Sequence, residues 1–169
     1  MTFEAIVRQW CRKYKPMRDS AQNRRFHFTD SHAGVVEMAK GITSAYSPFV
    51  IMESRVEGSG PIERPSMNYP IYFFVVAEKM SDGDAAAIAI KEALSHANNF
   101  LAWLKDKHDK EVQENIDGDF ARIDLSGNVY YDTIGPLQNG WYAVLVQIER
   151  EEPLNLCVDE GLYDEDCEC

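Results

Sequence analysis

The sequence lacks any apolar run close to the roughly 20 residues that a membrane-spanning helix requires. Its start, MTFEAIVRQW, does not show a basic stretch followed by an apolar one, which is the pattern of a secretory signal. Only four of its 169 residues are cysteine. These absences predict a soluble protein that contacts no membrane and is made in a reducing cytoplasm, where its thiols stay free.

Basic charge is also scarce, because 17 Lys and Arg residues stand against 28 Asp and Glu, for a net charge of −11. We therefore expect no general or sequence-specific nucleic-acid surface. The N-terminal bases are Arg8, Arg12, Lys13, Lys15, Arg18, Arg24 and Arg25. The C-terminal acids are Glu151, Glu152, Asp159, Glu160, Asp164, Glu165, Asp166 and Glu168. These groups form either a solvated face and an acidic tail, or two complementary patches that orient neighbouring subunits.

Motifs of nucleophilic catalysis and phosphate binding are missing. The chain has no G-x-S-x-G, no G-x-x-x-x-G-K-[ST] and no G-x-G-x-x-G after a strand. The histidines are scattered, and we expect His96 to lie on the surface of a helix. Cys11 lies on an apolar helix stripe, where cysteine acts as a small hydrophobe. We predict that the protein is not an enzyme and binds no cofactor.

Two segments bear on metal binding. Cys157, Cys167 and Cys169 are spaced C-x9-C-x-C, and no histidine follows Lys110 to complete the four ligands of a structural zinc site. We therefore favour free thiols over zinc, and the sequence does not decide their role. The segment NIDGDF (115–120) lacks the glycine and glutamate positions of a calcium-binding loop, which favours a tight polar turn. No metal site is predicted.

Helical patterns dominate the N-terminal quarter of the chain. Residues 2–15 show apolar side chains at three- and four-residue spacing, and Pro16 ends this helix. A short extended piece is expected near Phe26 and Phe28. A second helix then runs to Gly41, with Asp30 or Ser31 as its N-cap.

Strand patterns begin at Pro48–Arg55 and continue in Tyr69–Lys79, separated by a loop rich in Gly, Pro and Ser. Glu53 is the one carboxylate inside the first strand, and a solvated side chain at the sheet edge is its simpler interpretation. A long helix is predicted from about Asp82 to His108. Its predicted core stripe consists of Ala87, Ile90, Leu94, Ala97, Leu101 and Leu104, widened by Ala86, Ala93, Phe100 and Trp103.

The residue pattern of the C-terminal part predicts a short strand in FARIDL (120–125) and a hairpin over 129–151 that turns at PLQNG. The fold class is therefore α+β: a mainly antiparallel sheet of about four strands, one long helix packed on a face, and N-terminal helices. We predict a single domain at 1–152, with N-terminal helices in 2–41 and the sheet and long helix in 48–151. An acidic, cysteine-containing tail would follow at 153–169.

The two longest strands are apolar on both faces near their centres, as NYPIYFFVVAEK and GWYAVLVQIERE show. One face is expected to carry the long helix. The other needs either the N-terminal helices or another subunit to cover it. We predict an interface between copies that includes Arg24, Arg25, Tyr72, Phe74, Trp141 and Tyr142.

The layout from Phe49 to Arg150 resembles the tail terminator or tail-completion proteins of tailed bacteriophages, as found in Bacteroidales phages and prophages. The resembling pieces are PFVIMES, NYPIYFFVVAEK, the helix containing IKEALSHANNFLAWL, and GPLQNGWYAVLVQIE. The acidic cysteine-bearing tail and the basic first helix depart from the family pattern.

This resemblance implies a structural virion protein, assembled in the bacterial host cytoplasm, at the head–tail junction or tail end. It implies a ring of copies, usually a hexamer, that contacts tail-tube and head-connector proteins. Neither ring size nor the exact position in the virion follows from the sequence. The alternative function is a small soluble ligand- or protein-binding module without a virion role.

Overall fold

The computed structural model describes residues 2–18, 24–42, 47–53, 57–59, 66–76, 83–125, 129–137 and 140–151. The acidic tail predicted from 153 onward, with Cys157, Cys167 and Cys169, lies outside this part. The described helices are α1 (Phe3–Lys13), α2 (His32–Gly41) and α3 (Gly83–Gln113). The described strands are β1 (Phe26–Thr29), β2 (Phe49–Glu53), β3 (Glu57–Ser59), β4 (Ser66–Val76), β5 (Ile123–Asp124), β6 (Tyr130–Ile134) and β7 (Trp141–Glu151).

These strands form one sheet in the order β1-β2-β4-β7-β5, with β3 also beside β4 and β6 also beside β7. Only β1 and β2 pair in parallel, and every other described pair is antiparallel. The predicted α+β class and the mainly antiparallel sheet are thus confirmed. The sheet has more than the four strands predicted. The extended piece near Phe26 and the short strand in FARIDL join it as β1 and β5, and β3 lies in the segment predicted as a loop.

The first face of the sheet is covered by α1 and α3 together. The Thr2 side chain caps α1 by accepting a hydrogen bond from the Ala5 backbone N–H at 3.3 Å. The buried stripe of α1 consists of Phe3, Ile6, Val7, Trp10 and Cys11. Trp10 meets the ring edges of Phe73 and Phe100, so the two helices and the central strand share one apolar core.

The core stripe of α3 differs in phase from the prediction. Its buried apolar side chains are Ala89, Ala93, Ala97, Phe100 and Leu104. Ile90 and Leu101 are only partly buried at the flank, and Leu94 is 37% exposed. Alanines four residues apart on the sheet side let the helix backbone lie close to β4 and β7, so the longer aliphatic side chains are turned to the side.

The second face of the sheet carries α2, which packs beside β1 and β2. Its core consists of Val35, Ala39, Phe49, Ile51, Tyr72, Phe74, Trp141, Ala143 and Leu145, all buried. The Phe49 ring stacks on Phe74 at 4.9 Å, and Trp141 meets Phe49 edge-on at 4.7 Å. Both apolar faces are therefore buried within a single chain.

A polar turn follows α3, as predicted for NIDGDF. The Glu111 Oε2 atom accepts hydrogen bonds from the backbone N–H groups of Phe120 and Ala121, both at 2.9 Å. A Cβ atom at Gly118 would overlap the Glu111 carboxylate, so glycine lets this carboxylate keep its two backbone partners. Arg122 donates two hydrogen bonds to Asp117 across the turn. The turn returns the chain from α3 to β5.

Replacing Glu111 by alanine should lower the free energy of unfolding by about 1 to 3 kcal/mol, because two partly buried backbone N–H groups lose their acceptor. Urea unfolding followed by circular dichroism measures this difference. Glu114→Ala, at an exposed position nearby, is the matched control and should stay within about 0.5 kcal/mol of the parent chain. Equal stability of the two variants would contradict this role of Glu111.

Candidate functional site

The predicted interface residues are mostly internal. Tyr72, Phe74 and Trp141 are buried in the core of the second face. Tyr142 is half-buried and packs against the core of the first face. The predicted interface itself stays untested. However, Tyr72, Phe74 and Trp141 are already buried within one chain, so these three residues need no second subunit to be buried.

The two arginines of the predicted interface have different surroundings. Arg25 Nη1 donates hydrogen bonds to the backbone oxygens of Ser47, at 2.7 Å, and Pro48, at 3.0 Å. It therefore joins the start of β1 to the segment before β2. Arg24 is exposed and supplies its backbone oxygen to the His27 ring at 3.1 Å.

A chain of three polar side chains crosses the second face near α2. The Tyr72 hydroxyl donates to Glu53 Oε2 at 3.0 Å and lies 3.0 Å from His32 Nδ1. Glu53 is 2% exposed, so its interpretation as a solvated edge side chain is wrong. We call His32, Tyr72 and Glu53 the polar relay. It runs from an exposed imidazole to a buried carboxyl group.

The number of protons in the polar relay is constrained. A tyrosine hydroxyl carries one proton, and here it is donated to Glu53. The Tyr72 oxygen can then only accept from His32, so Nδ1 must carry a proton for the second contact to be a hydrogen bond. This requirement is met by one tautomer of the neutral ring and by the charged ring.

Local structure explains how the polar relay forms. Glu53 ends β2, and its alternation with Phe49 and Ile51 places it on the second face. His32 opens α2, which Ser31 caps by accepting from the Gly34 N–H at 3.2 Å. A Cβ atom at Gly34 would lie 2.0 Å from Thr29 Oγ1, so glycine lets α2 begin against β1.

The alternation of β2 was a usable sequence signal for a buried Glu53, since its neighbours on the same face are apolar. The pairing with Tyr72 was not visible, because it depends on how β2 is aligned with β4. Among the described residues, no group of three or more His, Cys, Asp or Glu side chains is placed to hold a metal ion. The chemistry that the polar relay offers is hydrogen bonding and proton sharing.

A second buried pair lies between α1 and α3. The Tyr14 hydroxyl is 3.0 Å from His96 Nδ1, and Glu92 Oε1 is 3.7 Å from His96 Nε2. His96 is only 7% exposed, so its predicted surface position is wrong. Burial lowers the pKa of His96, and the nearby Glu92 carboxylate opposes this only in part. Burial also raises the pKa of Tyr14.

Comparison with known proteins gives no relative: no protein-family model matches the chain, and no curated protein matches it. The resemblance to phage tail terminators therefore stays a prediction. Among the described residues, no helix has the length and apolar character needed to cross a membrane.

Replacing Tyr72 by phenylalanine should lower the free energy of unfolding by about 1 to 3 kcal/mol, because the buried Glu53 carboxyl group loses the hydroxyl that donates to it. Urea unfolding measures the change, and Tyr130→Phe, at an exposed tyrosine, is the matched control. Adding Glu53→Met to Tyr72→Phe should recover part of the loss, since no buried polar group is then left without its partner. An unchanged Tyr72→Phe would contradict a stabilising role for the polar relay.

The free energy of unfolding should also fall as the pH is lowered through the ordinary histidine pKa of 6.5. The folded pKa of His96 lies below that value, so the unfolded chain binds a proton first and is favoured until the folded ring is also protonated. Urea unfolding at about pH 7.5 and about pH 5.5 measures the loss. His96→Gln should show a smaller loss and the control His108→Gln an undiminished one; equal losses in all three proteins would contradict this assignment.

Proposed function

We propose that the protein is a structural virion protein of a tailed bacteriophage that forms a ring at the head–tail junction or tail end. The observation that supports this proposal is that the outer strands of the sheet, β1 and β6, carry exposed aromatic side chains. Copies of such a domain can join through their sheet edges without uncovering their cores. The proposal includes no catalytic step.

The order of elements supports the same proposal. From β2 onward the chain runs through paired strands, the long helix α3 and the β6–β7 hairpin. This is the order on which the resemblance to tail terminator and tail-completion proteins depends. The partners proposed with it are other copies of the chain, tail-tube proteins and head-connector proteins.

The contact surface proposed between copies differs from the interface residues that the sequence suggested. Tyr72, Phe74 and Trp141 are buried in the core of the second face. At the edges, Phe28 of β1 is 41% exposed, and Tyr130 and Tyr131 of β6 are 52% and 42% exposed. A ring requires two different, complementary surfaces on each copy, and the two sheet edges are such a pair.

A small binding module without a virion role is the second candidate. It is favoured by the burial of both sheet faces within one chain, since such a domain needs no partner to complete its core. This candidate predicts a monomer that is stabilised against heat by its ligand, as mass action requires.

Light scattering of the purified full chain separates the two candidates. The virion proposal predicts a species whose mass is several times the chain mass of 19.3 kDa, with rings visible by negative-stain microscopy. The same species should bind purified phage tails that lack their terminal protein. A chain that stays monomeric at every concentration and does not bind tails would overturn the virion proposal and favour the binding module.

A further inference from the structure

We propose that copies of this chain join edge to edge, with β6 of one copy pairing antiparallel with β1 of the next. The proposed register sets Phe28 opposite Tyr131 and His27 opposite Asp132. This inference rests on the proposed ring and names the surfaces that would close it. Four features of the two strands agree with the register.

The first feature is position. β1 ends the sheet on one side, and within the described residues it pairs only with β2. On the other side, β6 pairs within the described residues only with β7. The two strands are four and five residues long, so their lengths match.

The second feature is direction. β2 and β7 both run opposite to β4. β1 runs with β2, whereas β6 runs opposite to β7, so β1 and β6 run in opposite directions. A ring axis parallel to the strands keeps these directions in every copy, and β6 then meets the next β1 in antiparallel orientation.

The third feature is the backbone groups along each edge. The Val50 N–H donates to the Arg25 oxygen at 2.7 Å, so alternate residues from Arg25 face β2, and Phe26 and Phe28 present their N–H and C=O groups outward. On β6 the Thr133 N–H donates to Asp132 Oδ1 at 2.7 Å. The alternation that starts at Val50, carried through the registers of β2, β4 and β7, makes Asp132 face β7. Thr133 and, two residues back, Tyr131 therefore face outward. The proposed register sets outward groups opposite outward groups.

The fourth feature is the side chains. Phe28 pairs with Met52 and Tyr131 with Val146, whose side chains both belong to the core of the first face. The same ring axis keeps this face on one side, so the two exposed aromatic rings meet as a cross-strand pair. On the other face His27 lies opposite Asp132, whose carboxylate can accept a hydrogen bond from the imidazole ring.

Disulfide trapping tests the register directly. The variant carries His27→Cys and Asp132→Cys in a background with Cys157→Ser, Cys167→Ser and Cys169→Ser. An antiparallel pair without mutual hydrogen bonds has Cα atoms about 4.5 Å apart, within the disulfide range of about 4.4 to about 6.8 Å. Mild oxidation should give a ladder of covalent multimers of the 19.3 kDa chain on a non-reducing gel.

The controls fix the interpretation. His27→Cys with Thr133→Cys should not form the ladder, because Thr133 lies on the opposite face of β6. Asp132→Cys alone should give no dimer; an abundant dimer would show that β6 pairs with β6 and would overturn the proposal. If light scattering shows a multimer but no ladder forms, the proposed joint between β6 and β1 is overturned and the ring is not. A monomer overturns the ring and the joint together.

A second variant tests the same pairing without introducing any cysteine. Thr133→Pro removes an outward N–H group without removing a hydrogen bond to β7, so it should reduce the multimer to a single copy. Val112→Lys, at an exposed apolar residue on α3, is the control and should keep the parent mass. Retention of the full multimer by Thr133→Pro would overturn the proposed joint.

Discussion

The antiparallel pairing of β4 with β7 is the interaction on which the rest of this structure depends. It runs without interruption from Val76 opposite Trp141 to Ser66 opposite Glu151. A shift of one residue would exchange the faces of every side chain on one strand. Phe73 would then leave the core shared by α1 and α3, and Tyr72 would lose Glu53. Both cores and the polar relay thus rely on this single register.

Burial of both faces changes where a partner can bind. The doubly apolar strands were the reason to expect a second subunit on an open face. Within one chain, however, α1 and α3 share the first face, and the apolar residues of the second face, where α2 packs, are buried as well. The described sheet has no apolar face left for a neighbour, which leaves its edges as the part of this sheet that is open to association.

Much of the fold could be predicted from the sequence, because aromatic and β-branched residues identify strands and alternating apolar residues identify faces. The helix end was less predictable: α3 continues to Gln113, beyond the predicted His108. Its last turns are charged, yet Lys105 pairs with Asp109 and Lys110 with Asp106. Such pairs stabilise a helix, so a charged segment need not end one.

The candidate site was less predictable than the fold, since burial of a polar residue depends on what lies across from it. Glu53 shares a face with Phe49 and Ile51, and this much could be predicted. His96 is buried because α1 crosses α3 and brings Tyr14 to it. That crossing is set by packing between distant segments, for which the local spacing of residues gives no signal.

Open sheet edges also carry a cost, because unpaired backbone groups invite unspecific association. Both edges of this sheet are short, and each has a polar group beside it. Asp132 accepts the outward Thr133 N–H, and the His27 ring contacts the Arg24 oxygen. The proposed joint sets these two side chains opposite each other. Asp132 would release the Thr133 N–H and contact His27 of the neighbouring copy only when the register is correct. The same residues that protect an isolated copy would therefore select its partner.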